Sequence, residues 1–420
     1  LNPVFGEYDD PSTQNQYLLT VPFSQNGNAI VYGIAGSGKE QFISSLIYSC
    51  MITYAPEEVN FYIMDFGAET MRMFKNSPYV GDIVYLNDSD KVTNLFKMLD
   101  EELNYRKQLF ASYGGSFASY IKKGKYLANY VVILNNFEAF SENYEDFVDI
   151  LNQYSREAFK YGIFFLVTAS NENAVRIRTK QNFSLIYALE QNDESDFSAI
   201  LGNCRGKMPA KIKGRGLFKK NSIYEFQTAS IVKDNEDLNM YVSKYCDAIY
   251  EKTKYRVKRI PILPEVVDYE YVKNEIDYSY NMVVGVNKDT LHIEKYNLKK
   301  DPINFVCSYE IVDTISFIKA FSLECMDIPT TDFLFLNSTE YDFSDMPYQN
   351  RIYDKKFDIV FEQLASYIDN VFKIYQEADY NEEVLKRQKG IICFVFGVYD
   401  VINKLRDETK QKITEMMKQD

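Results

Sequence analysis

Up to about residue 230 the chain alternates between two rhythms of apolar and polar positions. Continuous apolar runs, rich in branched and aromatic residues, have the length of buried strands: NAIVYG (28–33), VNFYIMDF, DIVYL, YVVILNNF (130–137) and YGIFFLVTAS (161–170). Between them lie EQFISSLIYSCMITY and a longer stretch carrying Val92, Leu95, Phe96, Leu99 and Leu103, which repeat at helical spacing. SLIYAL, RGLFKK and SIYEFQTAS close the unit as β-rich segments. Strands separated by helices of this length predict right-handed crossovers and a mainly parallel sheet covered on both faces, an α/β fold.

From Asp237 the character changes. DLNMYVSKYCDAIYEKTKY reads as a helix, and RIPILPEVVDYEYV as a proline-punctuated connector. After it the order of elements repeats. VFGEYDD from Val4 is echoed by VVGVNKD from Val283. The strand-turn-helix NAIVYGIAGSGKEQFISSLI is echoed by INFVCSYEIVDTISFIKAF from Ile303, and VVILNNFEAF by CFVFGVYDVI from Cys393. The expected organisation is a first module over 1–235, a helix and connector over 236–275, and a second copy over 276–420. After GVYD only one polar helix is expected, so either the chain stops short or the second module has lost its far edge.

The turn after the strand NAIVY carries the chemistry. GIAGSGKE (Gly33, Ile34, Ala35, Gly36, Ser37, Gly38, Lys39, Glu40) follows a buried strand and opens a helix, the setting in which G-x-x-x-x-G-K-[ST] means a phosphate-binding P-loop. Glycines let backbone N–H groups curl around a phosphate, the helix N-terminus adds its positive end, and Lys39 reaches the β- and γ-phosphates. Glu40 stands where a serine or threonine hydroxyl would meet Mg²⁺. A carboxylate there either repels the polyphosphate or ligates the metal, and the sequence leaves both open. The acidic pair expected at the end of a central strand, which holds the metal and polarises the attacking water, is replaced by Asn135 and Asn136. These departures predict nucleotide binding without efficient hydrolysis. Glu138, two residues further on, is the remaining candidate acid. In the second copy CSYEIVDT (Cys307–Thr314) has neither glycine nor lysine, and GVYD (Gly397–Asp400) replaces NNFE, so no nucleotide is expected there.

Composition narrows the choices further. A formal net charge of −13 lacks the footprint of a nucleic-acid binder, so DNA is not an expected cargo. The one histidine, His292, excludes multi-histidine metal sites, and the six cysteines are scattered without CxxC spacing, as expected of reduced thiols. No apolar run reaches the roughly 20 residues that cross a bilayer. The chain starts at Leu1 without a methionine and reads as an excised piece of a longer protein.

Several stretches are similar to one family. VFGEYDDPSTQNQY, FYIMDFGAETMRMFKNSPYVGDIV, EELNYRKQLF, YGIFFLVTASNENAVRIRTKQNF, GRGLF and the connector KRIPILPEVV resemble the second and third ATPase modules of EssC/EccC-type FtsK/SpoIIIE-family proteins of bacterial type VII secretion. The resemblance implies two tandem RecA-like P-loop NTPase modules, the second degenerate. It also implies a place on the cytoplasmic face of the membrane, as a soluble part of an anchored protein. It names as partners small helical-hairpin Trp-X-Gly substrates, a neighbouring ATPase module and other secretion components, and ATP as cofactor in the first module. Mg²⁺ is left without its usual ligands. Thr168 falls where the family has a polar sensor, a plain strand-end threonine being the alternative. Arg176, Arg178 and Arg215 are either arginine fingers for a neighbouring module or solvated surface charges, and Asp65 reads as a structural turn. The expected function is substrate recognition and regulation in a secretion machine, against an active FtsK-type translocase motor or a nucleotide-free scaffold.

Overall fold

The computed structural model describes residues 1–204, 206–233, 236–288, 290–300, 303–329, 331–348 and 351–416. The chain divides into two units, Leu1–Ile262 and Leu263 onward.

Unit 1 is built on one ten-stranded sheet: β1 (Val4–Asp10), β2 (Asn15–Thr20), β3 (Asn28–Tyr32), β4 (Val59–Asp65), β5 (Val80–Tyr85), β6 (Asn129–Asn135), β7 (Ile163–Ala169), β8 (Phe183–Leu189), β9 (Arg215–Lys219) and β10 (Ile223–Thr228), in the spatial order β2-β1-β10-β9-β8-β3-β7-β6-β4-β5. From β8 to β5 every pairing is parallel, and from β8 to β2 every pairing is antiparallel. The parallel strands are mainly apolar, with polar residues largely at their ends, because helices cover both faces. Ile30, Met64, Val132, Leu134 and Val167 turn to one side, against Val92, Leu95 and Leu99 of the helix Ser89–Ala111. Their neighbours Ala29, Ile63, Val131, Ile133 and Leu166 turn to the other, against Phe42, Ile43 and Leu46 of the helix Lys39–Thr53. This period of two in side-chain direction splits one apolar run into two cores, as the α/β expectation requires.

At the N-terminal edge of the parallel strands, Arg106 is fully buried. Its guanidinium donates to Glu102 Oε1 (2.6 Å) and to the carbonyls of Tyr161 (2.9 Å), Gly162 (3.2 Å) and Ala128 (2.8 Å), and lies 4.6 Å from the Tyr130 ring centre. One side chain thereby ties the entries of β6 and β7 to the helix above them.

The segment expected as a connector over 236–275 is divided. The helix Leu238–Lys252, capped by Asp237, buries Val242 and Cys246 on unit 1, and Val257 and Ile260 follow them into its cores. Tyr62 Oη donates to Lys258 O (2.8 Å) and Asn94 Nδ2 to Pro261 O (2.8 Å). Apolar side chains at these positions carry the chain along the first sheet, so the units part after Ile262.

Unit 2 holds an antiparallel pair, β11 (Asn281–Val286) with β12 (Ile293–Asn297), and a parallel sheet in the order β14-β13-β15, with β13 (Thr331–Asn337), β14 (Ile352–Tyr353) and β15 (Gly390–Phe396). The helices Ile311–Met326 and Phe357–Glu377 accompany the sheet. Its parallel register repeats that of unit 1: Asn337 pairs with Phe396 at the strand ends, as Asp65 pairs with Asn135. Both strands then leave through a left-handed residue with φ of 77°, Asn136 in one and Gly397 in the other, into a seven-residue helix. One expectation fails. Residues 303–308, read as the strand of a second loop, form no strand and are exposed, Cys307 among them. In unit 1 the corresponding β3 pairs with β7 and β8, which follow β6 in sequence. Among the described residues after β15 there are only two helices, Val398–Lys404 and Asp407–Met416, so the segment lacks the strands against which its counterpart is held.

Candidate nucleotide-binding site

The loop Gly33–Glu40 leaves β3 at the C-terminal edge of the parallel strands, where open α/β sheets bind ligands. Its start is laced to its neighbours: Gly33 N–H donates to Ala169 O (3.0 Å) at the tip of β7, and Ile34 N–H to Glu190 O (3.0 Å) just beyond β8. Gly36 and Gly38 take φ of +80° and +103°, values that L side chains rarely adopt, and a Cβ on Gly38 would stand 2.5 Å from Gly214 N. Gly214 N–H in turn donates to Ser37 O (2.9 Å), so the turn before β9 lies directly on the loop. The first bond of the following helix runs from Phe42 N–H to Gly38 O (2.9 Å). The amides of Lys39, Glu40 and Gln41 therefore face out of its N-terminus without intrahelical partners. Ser37 is buried, and its hydroxyl lacks a hydrogen-bond partner. Free amides and open space around Gly36 form a cradle that fits a polyphosphate.

Lys39 is turned inward, its ammonium donating to the carbonyls of Gly33 and Ile34. Burial pushes its pKa below the ordinary lysine value, while the carboxylates of Glu40 and Glu138 offset part of that shift. Glu40 occupies the first helical turn and lines a cavity of about 320 Å³ with Gln41, Ser44, Thr70, Lys213 and Asp237.

The asparagine pair is locked. Asn135 is 1% exposed; its Nδ2 donates to Asp65 Oδ1 (2.9 Å), and its Oδ1 accepts from Thr168 Oγ1 (2.8 Å). Asp65, equally buried at the end of β4, also accepts from Met71 N–H (3.0 Å). Asn136 N–H donates to Thr168 Oγ1 (2.9 Å), and its side chain bridges Phe66 O (3.0 Å) and Ala139 N–H (3.2 Å) as the cap of the helix Phe137–Asn143. The network accounts for these groups as mutual partners, and Thr168 has its hydroxyl engaged on both sides. Each asparagine side-chain oxygen already accepts one hydrogen bond, from Thr168 Oγ1 and from Ala139 N–H, and Glu40 stands in place of the hydroxyl.

Glu138 stands in the first turn of that helix. Its Oε1 accepts from Ser170 N–H (2.6 Å) and from the Ser170 hydroxyl. Ser170 follows Ala169, the residue that receives Gly33 N–H, so Glu138 overlooks the entrance of the loop. The arginines are dispersed. Arg176 and Arg178 are exposed beside Glu145 and Asp149 (both 3.6 Å), while Arg215 bonds Gln227 Oε1 (3.0 Å) across the β9–β10 pair. Sequence reasoning missed the Asp65–Asn135 bond, the Ser170 tether and the contact of Gly214 with Gly38. GRGLF had stood out as a sequence stretch, but nothing in its spacing points to the loop. In unit 2 a larger, mainly apolar cavity of about 610 Å³ opens between residues 304–308, the helix Ile311–Met326 and β15, lined by Phe305, Phe317, Phe321, Ile392 and Phe394.

Residues 10–200 match the FtsK/SpoIIIE family. The ESX secretion system protein EccC of Geobacillus thermodenitrificans is 26% identical over 436 residues, covering 99% of this chain and 29% of the relative. The type VII secretion system protein EssC of Staphylococcus aureus (strain NCTC 8325) is 22% identical over 303 residues, 70% of this chain and 20% of the relative. The chain thus spans less than a third of either relative. Among solved structures, EssC ATPases 2 and 3 from Geobacillus thermodenitrificans superpose with a TM-score of 0.85 at 22% identity, over 99% of this chain and 81% of that one. ATPases 2 and 3 of Thermomonospora curvata EccC, solved with a signal sequence peptide, give 0.62 at 18% identity, over 99% and 84%. The fold is that of these paired ATPase modules.

Proposed function

From the premise that residues 10–200 form an FtsK/SpoIIIE-family domain and that the chain's homologues are type VII secretion proteins, we propose that it is a substrate-recognition and regulatory part of a type VII secretion machine. In this reading unit 1 binds ATP through Gly33–Glu40 without efficient hydrolysis. The observation that carries it is the contrast at the edge of one sheet. The phosphate cradle keeps its glycines, free amides and Lys39, whereas Asn135 and Asn136 are held in a closed hydrogen-bond network with Asp65 and Thr168. Unit 2 would contribute the substrate contact: its apolar cavity suits the C-terminal signal of a small helical-hairpin Trp-X-Gly protein, and the Thermomonospora relative was solved with a signal peptide. The chain would work beneath the membrane as part of a larger anchored protein, beside a neighbouring ATPase module and other secretion components. Calorimetric titration with ATP, with and without Mg²⁺, followed by a phosphate-release assay, tests the reading. Binding with turnover far below the typical enzyme value of about 10 per second is expected. Turnover near that value would instead make the chain a motor, and no binding would make it a scaffold.

A further inference from the structure

The charges around the phosphate cradle are arranged against a terminal phosphate. In a P-loop the helix amides and glycine turn hold the inner phosphates, while the lysine and the residue after it meet the outer phosphate and its metal. Here the outer end is defined by Lys39, Glu40 and Glu138. Glu40 is fixed in the first helical turn, next in sequence to Lys39. Glu138 is fixed by Ser170, at the tip of the strand whose Ala169 carbonyl holds Gly33 N–H. Both carboxylates act electrostatically on Lys39, and Glu138 also acts on Tyr32 at the end of β3. Lys39 itself faces the carbonyls of Gly33 and Ile34. Lys213 lies against Gly38 through its stem and lines the Glu40 cavity together with Asp237. Lys39 and Lys213 against Glu40, Glu138 and Asp237 leave the outer position with one excess negative charge, and the side-chain oxygen of Asn135 is already taken by Thr168.

We infer that this site, if it binds nucleotide as proposed above, holds a nucleoside diphosphate in preference to a triphosphate and does so without Mg²⁺. The cradle of amides serves the inner phosphates equally well in both ligands, so discrimination arises only at the third phosphate. One unmatched charge pair about 10 Å apart in an effective dielectric near 20 corresponds to roughly tenfold in affinity. At equal concentrations of the two nucleotides the site is then occupied mainly by the diphosphate.

Calorimetric titration of the whole chain with ADP and with ATP, each in EDTA and in excess Mg²⁺, tests this. ADP is expected to bind at least about tenfold tighter than ATP, with an affinity unchanged by EDTA. Glu138→Gln, whose amide oxygen can still accept from Ser170 N–H, and Glu40→Thr should each narrow the gap by tightening ATP more than ADP. Wild-type ATP affinity equal to or above that of ADP, or a gap unmoved in both variants, overturns the inference while leaving nucleotide binding in place. Binding of neither nucleotide overturns the inference and the ATP-binding reading together.

Discussion

Asn135→Asp restores the acid that a hydrolytic site would have at this strand end, and the structure predicts that it harms the protein without reviving the chemistry. The new carboxylate would stand 2.9 Å from Asp65, at a position 1% exposed. Two full charges at that separation repel by about 6 kcal/mol in an effective dielectric of about 20. The pair avoids most of this by keeping one proton between them, which raises the folded-state pKa of the pair above the ordinary aspartate value of about 3.9. The loss is then about 1.4 kcal/mol for each pH unit above the unfolded pKa, until the folded pKa is passed. The sign follows from proton uptake: the folded state binds more protons, so stability falls as pH rises. The loss relative to wild type should therefore be larger at pH 8 than at pH 5. Urea unfolding followed by circular dichroism at the two pH values measures the gap. Asp65→Asn combined with Asn135→Asp exchanges the partners and should recover most of it. Equal stability of wild type and Asn135→Asp at both pH values, or phosphate release near 10 per second from the single variant, would refute the account of the locked pair.

Three further outcomes are expected. Lys39→Ala should abolish ATP binding or weaken it severely in calorimetry, whereas substitutions at Cys307 or Asp313 should leave it unchanged, because the cradle lies in unit 1 alone. Gly38→Ala forces a Cβ to 2.5 Å from Gly214 N at a φ of +103°, so it should lower both nucleotide affinity and thermal stability; unchanged values would show that the loop can move away from the turn at Gly214. Arg106→Ala leaves Glu102 and three backbone carbonyls without their buried partner and should cost unit 1 about 3–5 kcal/mol in chemical unfolding.

Much of unit 1 was legible in the sequence because its signals are local. Continuous apolar runs mark strands covered on both faces, and the glycines of Gly33–Lys39 mark a tight turn between a strand and a helix. The loss of the acidic pair was equally plain at Asn135 and Asn136. What those asparagines do instead was not, because Asp65 reaches Asn135 across a strand pairing and Thr168 reaches it from a third strand. Side-chain partners of that kind depend on sheet order, which periodicity does not encode. The same limit explains residues 303–308. Their composition suits a strand, but a strand is defined by its neighbours, and among the described residues those neighbours are missing. The helix Leu238–Lys252 was read correctly as a helix, yet its attachment to unit 1 depended on where Val242 and Cys246 could be buried.

Exposed Cys307 in the segment 303–308 has a practical consequence. Among the described residues Cys50, Cys204, Cys246 and Cys325 are buried and Cys393 is half-buried, leaving Cys307 as the accessible thiol. Burial pushes the Cys393 thiol up to about 12, so it carries little of the reactive thiolate at neutral pH. A maleimide dye should therefore attach at one place without any cysteine having to be engineered away. Because Cys307 lines the apolar cavity of unit 2, an environment-sensitive dye there would report directly on anything that enters it.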